Sequence, residues 1–240
     1  MLESLKLLTR RLLGEEVLGF LDYYRFPDRR NSWGGPFNGQ TERVRIVRAL
    51  LGLKPDFIVE TGTFRGTSTA FLANESSCSV ISVENHSRSF GFARANLRGI
   101  RNIELIKSDS REALRRLTQR HELKGRTPLF YLDAHWGEDL PLAKEVQLVF
   151  EHWPKAVVLV DDFEVPDDPG YGFDDYGAGN ALTLDYTAAV QTRFGLRAFF
   201  PTARSEQESG ARRGCVVFVG DDSIAERLAA IPELRFWADG

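Results

Sequence analysis

Cysteine is scarce in this 240-residue chain: only Cys78 and Cys215, each in or beside an apolar stretch. A disulfide framework or a zinc site needs more, so a reducing, cytoplasmic compartment is expected and both thiols read as small core residues. No apolar run approaches the roughly 20 residues that span a bilayer. Arg10-Arg11 and Glu15-Glu16 break the apolar character of the first segment, so a secretory signal is not expected either. Basic charge is not in excess. The net charge is -3 with acids and bases interspersed, which makes nucleic acid a poor partner. Internal repeats and low-complexity tracts are also missing. What remains, 42% hydrophobic and 27% charged, suits one soluble globular chain with a full core.

Leu2, Leu5, Leu8, Leu12, Leu13 and Val17 recur at helical spacing. They predict an accessory helix packed on the domain or on another subunit, and hence a possible route to a homo-oligomer. A membrane-surface role fits poorly, because the polar face carries both signs of charge. Residues 1–52 are assigned to this helical segment and to a loop closing over a ligand, Ser32 to Gln40, in which Asn38 and Gln40 are candidates. Residues 53–240 form the main domain. From residue 56 on, short β-branched runs alternate with helix-like stretches: strands at 56–60, 79–84, 102–107, 129–133 and 156–161, with helices between them. Such alternation predicts an α/β fold, a doubly wound Rossmann-like sheet with helices on both faces. The strands are almost wholly apolar, as when both sheet faces are buried. After strand five, residues 162–180 read as a turn-rich acidic loop containing Tyr171 and Tyr176. A helix over 182–193, a strand over 196–200, a polar and disorder-prone connection over 205–213 and a last, antiparallel strand over 215–219 follow.

Chemistry-bearing residues fall at the ends of successive strands. Glu60-Thr61-Gly62-Thr63-Phe64-Arg65-Gly66-Thr67-Ser68 turns strand one into a helix. Gly62 permits a sharp turn and close approach of a ligand, and Gly66 opens a helix whose free N–H groups attract a carboxylate. Glu60 offers a carboxylate to an ammonium group. The spacing is Gly-x-x-x-Gly, not the Gly-x-Gly-x-x-Gly of a pyrophosphate grip. Glu84-Asn85 ends strand two, 22 residues after Gly62, close to the ~20 expected for an acid on ribose hydroxyls. Asp109-Ser110 ends strand three, placed for an adenine amino group. Each acid alone is commonly a helix cap. Three on successive strand ends point to one adenosine ligand.

This set resembles the cofactor signature of class I S-adenosylmethionine-dependent methyltransferases, over roughly residues 40 to 220. The resemblance implies that Glu60 contacts the methionine part, Glu84 the ribose and Asp109 the adenine region. The residues it assigns to S-adenosyl-L-methionine are Glu60, Thr61, Gly62, Thr63, Gly66, Thr67, Ser68, Glu84, Asn85, Asp109, Ser110 and Asp133. Strand four ends in Asp133-Ala134-His135-Trp136 and strand five in Asp161-Asp162. Carboxylates at neighbouring strand ends can hold a hard cation through oxygen. The arrangement is similar to Mg²⁺-dependent O-methyltransferases of the catechol type and, more so, the macrocin/novobiocin type. It implies a site for Mg²⁺ or another divalent cation at Asp133, Asp161 and Asp162. Capping of loops is the simpler alternative for these acids. The catechol type uses a lysine just after the first metal acid. Here none occurs before Lys144, so Asp133 and His135 are the candidate catalytic bases, and Trp136 a pocket wall.

The resulting expectation is methyl transfer to a hydroxyl of a small molecule or sugar, with metal assistance. An NAD-dependent oxidoreductase and a non-catalytic cofactor-binding protein are the alternatives.

Overall fold

The computed structural model describes residues 13–135, 139–177 and 179–238. Leu2, Leu5, Leu8, Leu12 and Trp136, named above, lie outside the described residues. Eight strands form one sheet in the order β3-β2-β1-β4-β5-β7-β6-β8. They are β1 (Phe57–Thr61), β2 (Ser79–Glu84), β3 (Ile103–Lys107), β4 (Leu129–Leu132), β5 (Val157–Asp161), β6 (Arg197–Pro201), β7 (Cys215–Val219) and β8 (Leu234–Phe236). The first five are mutually parallel. β7 runs antiparallel to both β5 and β6, and β8 antiparallel to β6. The sheet is thus the expected doubly wound one. The eighth strand and the helix before it went unread in the sequence, because both are short.

The helices are α1 (Glu15–Arg25), α2 (Thr41–Leu51), α3 (Thr67–Glu75), α4 (Ser87–Asn96), α5 (Ser110–Leu117), α6 (Leu142–His152), α7 (Leu184–Phe194) and α8 (Asp222–Ala229). Two cores sandwich the sheet. On one face Leu114 and Leu117 of α5, Val146 and Val149 of α6 and Val190 of α7 cover Val59, Phe130, Val158 and Phe218. On the other, Ile46, Val47 and Leu50 of α2, Leu72 of α3 and Leu228 of α8 cover Ile58, Leu129, Leu159 and Val217. Alternate strand residues feed opposite cores, as a pleated strand requires. Burying each such side chain contributes roughly 1.5–3 kcal/mol. Cys215 is fully buried in the second core, and no disulfide forms. Among the described residues, no helix is long and apolar enough to cross a membrane.

β1 is flanked by β2 on one side and β4 on the other, so the winding reverses there. Ligands of open α/β sheets bind at the carboxyl ends of the strands beside such a switch point.

α1 packs on α4 of its own chain at very short range. A Cβ on Gly19 would lie 1.9 Å from the Arg88 carbonyl oxygen, and one on Gly91 only 1.8 Å from that of Glu16. Two glycines therefore let the backbones approach. Arg88 bridges to Asp22 at 2.7 Å and Arg94 to Glu16 at 2.6 Å, and Tyr23 meets Phe92 edge-on at 5.5 Å. Partly exposed ion pairs add ~0–1 kcal/mol each, so close packing dominates. Gly91→Ala gains up to ~1 kcal/mol in helix propensity but drives a methyl into a backbone oxygen, an overpacking cost of ~1–3 kcal/mol. The variant is expected to have faster amide exchange across residues 15–25 with the core strands unchanged. Unchanged exchange in α1 would show that the glycine contact does not hold the helix.

Candidate functional site

A cavity of about 1060 Å³ opens at the carboxyl edge of the sheet. Its wall takes residues from the turn after each of the five parallel strands: Gly62, Glu84, Asp109, Asp133 and Asp162 among them. Thr63, Thr67, Ser68, Asn85 and Ser110 also line it.

Gly62 has φ +90°, and a Cβ there would sit 2.1 Å from the carbonyl oxygen of Asp133. Only glycine lets the turn after β1 pass under the turn after β4. The N–H groups of Gly62 and Thr63 donate to Val83 O at 3.0 and 3.1 Å. The N-terminus of α3 has no side-chain cap, so its first N–H groups face the cavity at Thr67 and Ser68. Glu84 is fixed by the N–H groups of Phe64 and His86, each 2.6 Å from a different carboxylate oxygen. Burial raises its pKa, and the N–H bonds from His86 and Phe64 oppose the rise.

Glu60 departs from its expected role. It is 1% exposed and absent from the cavity wall. Its carboxylate accepts from the hydroxyls of Ser82, at 2.5 Å, and Thr69. The side chain faces α3 rather than a ligand, and burial pushes its pKa up to about 7 against those two bonds. Thr61 and Gly66 likewise stay off the wall. Gly66 instead begins α3 against Leu97.

Asp109 does line the cavity, but most of its bonding capacity is used locally. It caps α5 through Arg111 N and Glu112 N at 3.0 and 3.3 Å and takes two bonds from the Arg111 guanidinium. Arg111 also reaches Asp139 at 2.7 Å. The Arg111 hydrogen bonds hold Asp109 below the usual carboxylate pKa.

His135 is not a base in the cavity. It is 3% exposed, its Nε2 lies 3.3 Å from Leu132 O and its Nδ1 has no partner. Burial lowers its pKa to about 4. Asp133 is the stronger candidate. It lines the cavity, and burial, then the charges of Asp161 and Asp162, push its pKa well up. Tyr171 lies off the cavity wall: it is 3% exposed and donates to Ala203 O at 3.0 Å. Tyr176 donates to His135 O at 3.0 Å and to Asp174 at 2.8 Å.

The three carboxylates expected on a divalent cation do not form one ligand set. Among the described residues no group of three histidines, cysteines or acids is arranged to hold a metal. Asp161 points into the second core, 1% exposed, where it is ion-paired to Arg43 and accepts from the Tyr131 hydroxyl. Asp162 has φ +52°, a left-handed conformation that Asp tolerates, and points to the cavity. Its Oδ1 accepts from Arg213 Nε at 2.7 Å. Arg213 also pairs with Asp174. Burial and the Asp161 charge push the Asp162 pKa up to about 6, with Arg213 opposing.

Sequence reasoning missed Arg43 and Arg213. The connection over 205–213 is folded, not disordered: the Glu208 carboxylate caps α2 at Glu42 N and Arg43 N, 2.9 and 3.0 Å. The Gln40 side chain, 1% exposed, clamps both backbone groups of Arg213 at 2.9 Å. Trp33, 69% exposed, and Asn38 stand at the cavity from the loop before α2.

No family model and no curated protein matches the chain. Solved structures do. An O-methyltransferase from Bacillus cereus, in complex with S-adenosylhomocysteine, is similar at TM-score 0.54 and 18% identity over 75% of this chain and 80% of that one. TomG from Streptomyces achromogenes, an O-methyltransferase involved in tomaymycin synthesis and solved with S-adenosylmethionine, is similar at TM-score 0.51 and 17% identity, over 75% and 78%. The methyltransferase domain of bacterial CtHen1-CN gives 0.52 and 16%, over 74% and 97%. The fold is therefore that of class I methyltransferases.

Beneath the cavity floor, Glu145 of α6 is fully buried. Its oxygens lack a partner of normal geometry. Burial raises its pKa to about 7, and the facing hydroxyls of Ser110 and Thr61 temper the rise. A raised folded pKa means that the carboxyl contributes stability below its unfolded value, ~4.3. That contribution is lost as pH climbs through about 7. Glu145→Gln is expected to match the wild type in urea unfolding near the lower limit and to exceed it by up to ~3 kcal/mol above the upper one. A constant difference across that window would mean that Glu145 is ionised when folded.

Proposed function

We propose that this protein transfers the methyl group of S-adenosyl-L-methionine to a hydroxyl of a small-molecule acceptor. The observation that carries the reading is one cavity collecting the turns of five successive strands, with an acid fixed on the second. Glu84 has a lone pair on each oxygen left for ribose hydroxyls. The uncapped start of α3 suits the cofactor's methionine carboxylate through free N–H groups and the helix dipole. The bound cofactors in the Bacillus cereus and TomG structures support the same use of this fold. A dinucleotide is a worse fit, because the Gly62 to Gly66 turn lacks the pyrophosphate spacing.

In the reaction the acceptor hydroxyl loses its proton to the Asp133 carboxylate. Its oxygen attacks the sulfonium methyl in line, the C–S bond breaks, and S-adenosylhomocysteine leaves as a neutral thioether. Burial and the neighbouring Asp161 and Asp162 charges raise the Asp133 pKa, which makes its carboxylate a stronger proton acceptor than a solvated one. Alignment of acceptor and methyl within a closed cavity supplies most of the acceleration. The divalent cation implied by the resemblance forms no part of this proposal, since arginines already sit on two of its three expected ligands.

Calorimetry with S-adenosylhomocysteine tests the reading. The wild type is expected to bind, and Glu84→Ala to bind ~10- to 100-fold more weakly, the loss of hydrogen bonds to a charged group being ~1.5–3 kcal/mol. Equal affinity in a variant of native circular dichroism removes Glu84 from the ribose. No binding by the wild type removes the proposal.

A further inference from the structure

Two arginines meet behind the cavity wall, Arg213 lining the cavity and Arg43 buried beside it, and neither belongs to the signature that the sequence resembles. Arg43 is buried on α2 and 1% exposed. Its Nη1 pairs with Asp161 and its Nη2 donates to the carbonyl oxygen of Arg213 at 2.8 Å. Both Asp161 oxygens are occupied, Oδ1 by Arg43 and by the N–H of Asp162 at 2.9 Å, and Oδ2 by Tyr131. Arg213 reaches Asp162 through Nε and Asp174 through Nη2, and it lines the cavity with both acids. Gln40 fixes its backbone from either side. A cation entering here would have to strip Arg213 from Asp162 and would still find Asp161 turned into the core.

We propose that the Arg43 and Arg213 guanidiniums take the place of a divalent cation at this site, Arg43 by neutralising Asp161 and Arg213 by holding fixed positive charge beside the acceptor. Guanidinium stays protonated at any pH the protein survives, so the charge is permanent and needs no metal supply. Arg213 is then a positioning residue: its planar fork keeps Asp162 and Asp174 apart and leaves Asp133 as the acid that takes the proton. The inference rests on the methyl-transfer reading, which the calorimetry above tests separately.

Mn²⁺ is the probe, followed by the loss of its free-ion electron paramagnetic resonance signal on binding. The full chain, dialysed against chelator and saturated with S-adenosylhomocysteine, is expected to leave the signal of equimolar Mn²⁺ unchanged. Arg213→Met, which uncovers Asp162 and Asp174 beside Asp133, is expected to abolish most of it. Arg213→Lys, which keeps the charge, is expected to behave as the wild type. Should Arg213→Met fail to fold, Arg213→Gln carries the same comparison. Stoichiometric uptake by the wild type that Asp162→Asn abolishes overturns the proposal, because the carboxylates then hold a metal despite the arginines. So does a folded Arg213→Met or Arg213→Gln that takes up no ion, because the guanidinium is then not covering a cation site. S-adenosylhomocysteine binding in the wild type together with either result shows that the substitution fails while the cofactor assignment stands.

Discussion

The Arg43–Asp161 ion pair is the constraint on which the cavity wall beyond β5 rests. Each partner is about 1% exposed, and taking such ions out of water costs several kcal/mol apiece. That cost is offset only if every lone pair and proton finds a partner. Asp161 meets the condition with Arg43, Tyr131 and the next N–H. Arg43 adds its bonds to Asp161 and to the carbonyl of Arg213. The pair therefore ties α2, the end of β5, the middle of the sheet and the segment before β7 into one unit. Burial works to lower the Arg43 pKa, and the Asp161 charge overrides it, so the guanidinium stays charged.

From that anchor the cavity divides into two halves with different physics. The half along β1, β2 and β3 is built by backbone. Strand ends, a glycine turn and an open helix N-terminus present N–H groups and one fixed carboxylate, and the local chain sets their positions. The half beyond β5 is built by long-range charge pairing between segments far apart in sequence: Arg213 with Asp162 and Asp174, and Gln40 with Arg213. Backbone geometry is shared by every chain with this fold. Charge pairing depends on the particular side chains, and loops rather than folds set specificity.

The chain by itself determined the alternation of elements, the doubly wound sheet and the five turns that meet at one cavity, because apolar periodicity and turn residues act over a few neighbours. The strands read at 56–60, 79–84 and 215–219 agree with the structure to within a residue. The places of Gly62 and Glu84 on the cavity wall were legible for the same reason, because they follow from a strand end. Side-chain direction and partnership were decided by the tertiary structure alone. Glu60 and Asp161 sit on strand ends as expected, yet both point into the layers beside the sheet, where Thr69 and Arg43 arrive from helices that the local sequence does not place. His135 looked like a base until its burial was known. Arg213 was one arginine in a polar stretch, indistinguishable from a solvated one, until folding brought it to Asp162 over 51 residues of chain. A charge has no meaning in a sequence without its dielectric and its counter-ion, and only the folded chain supplies both.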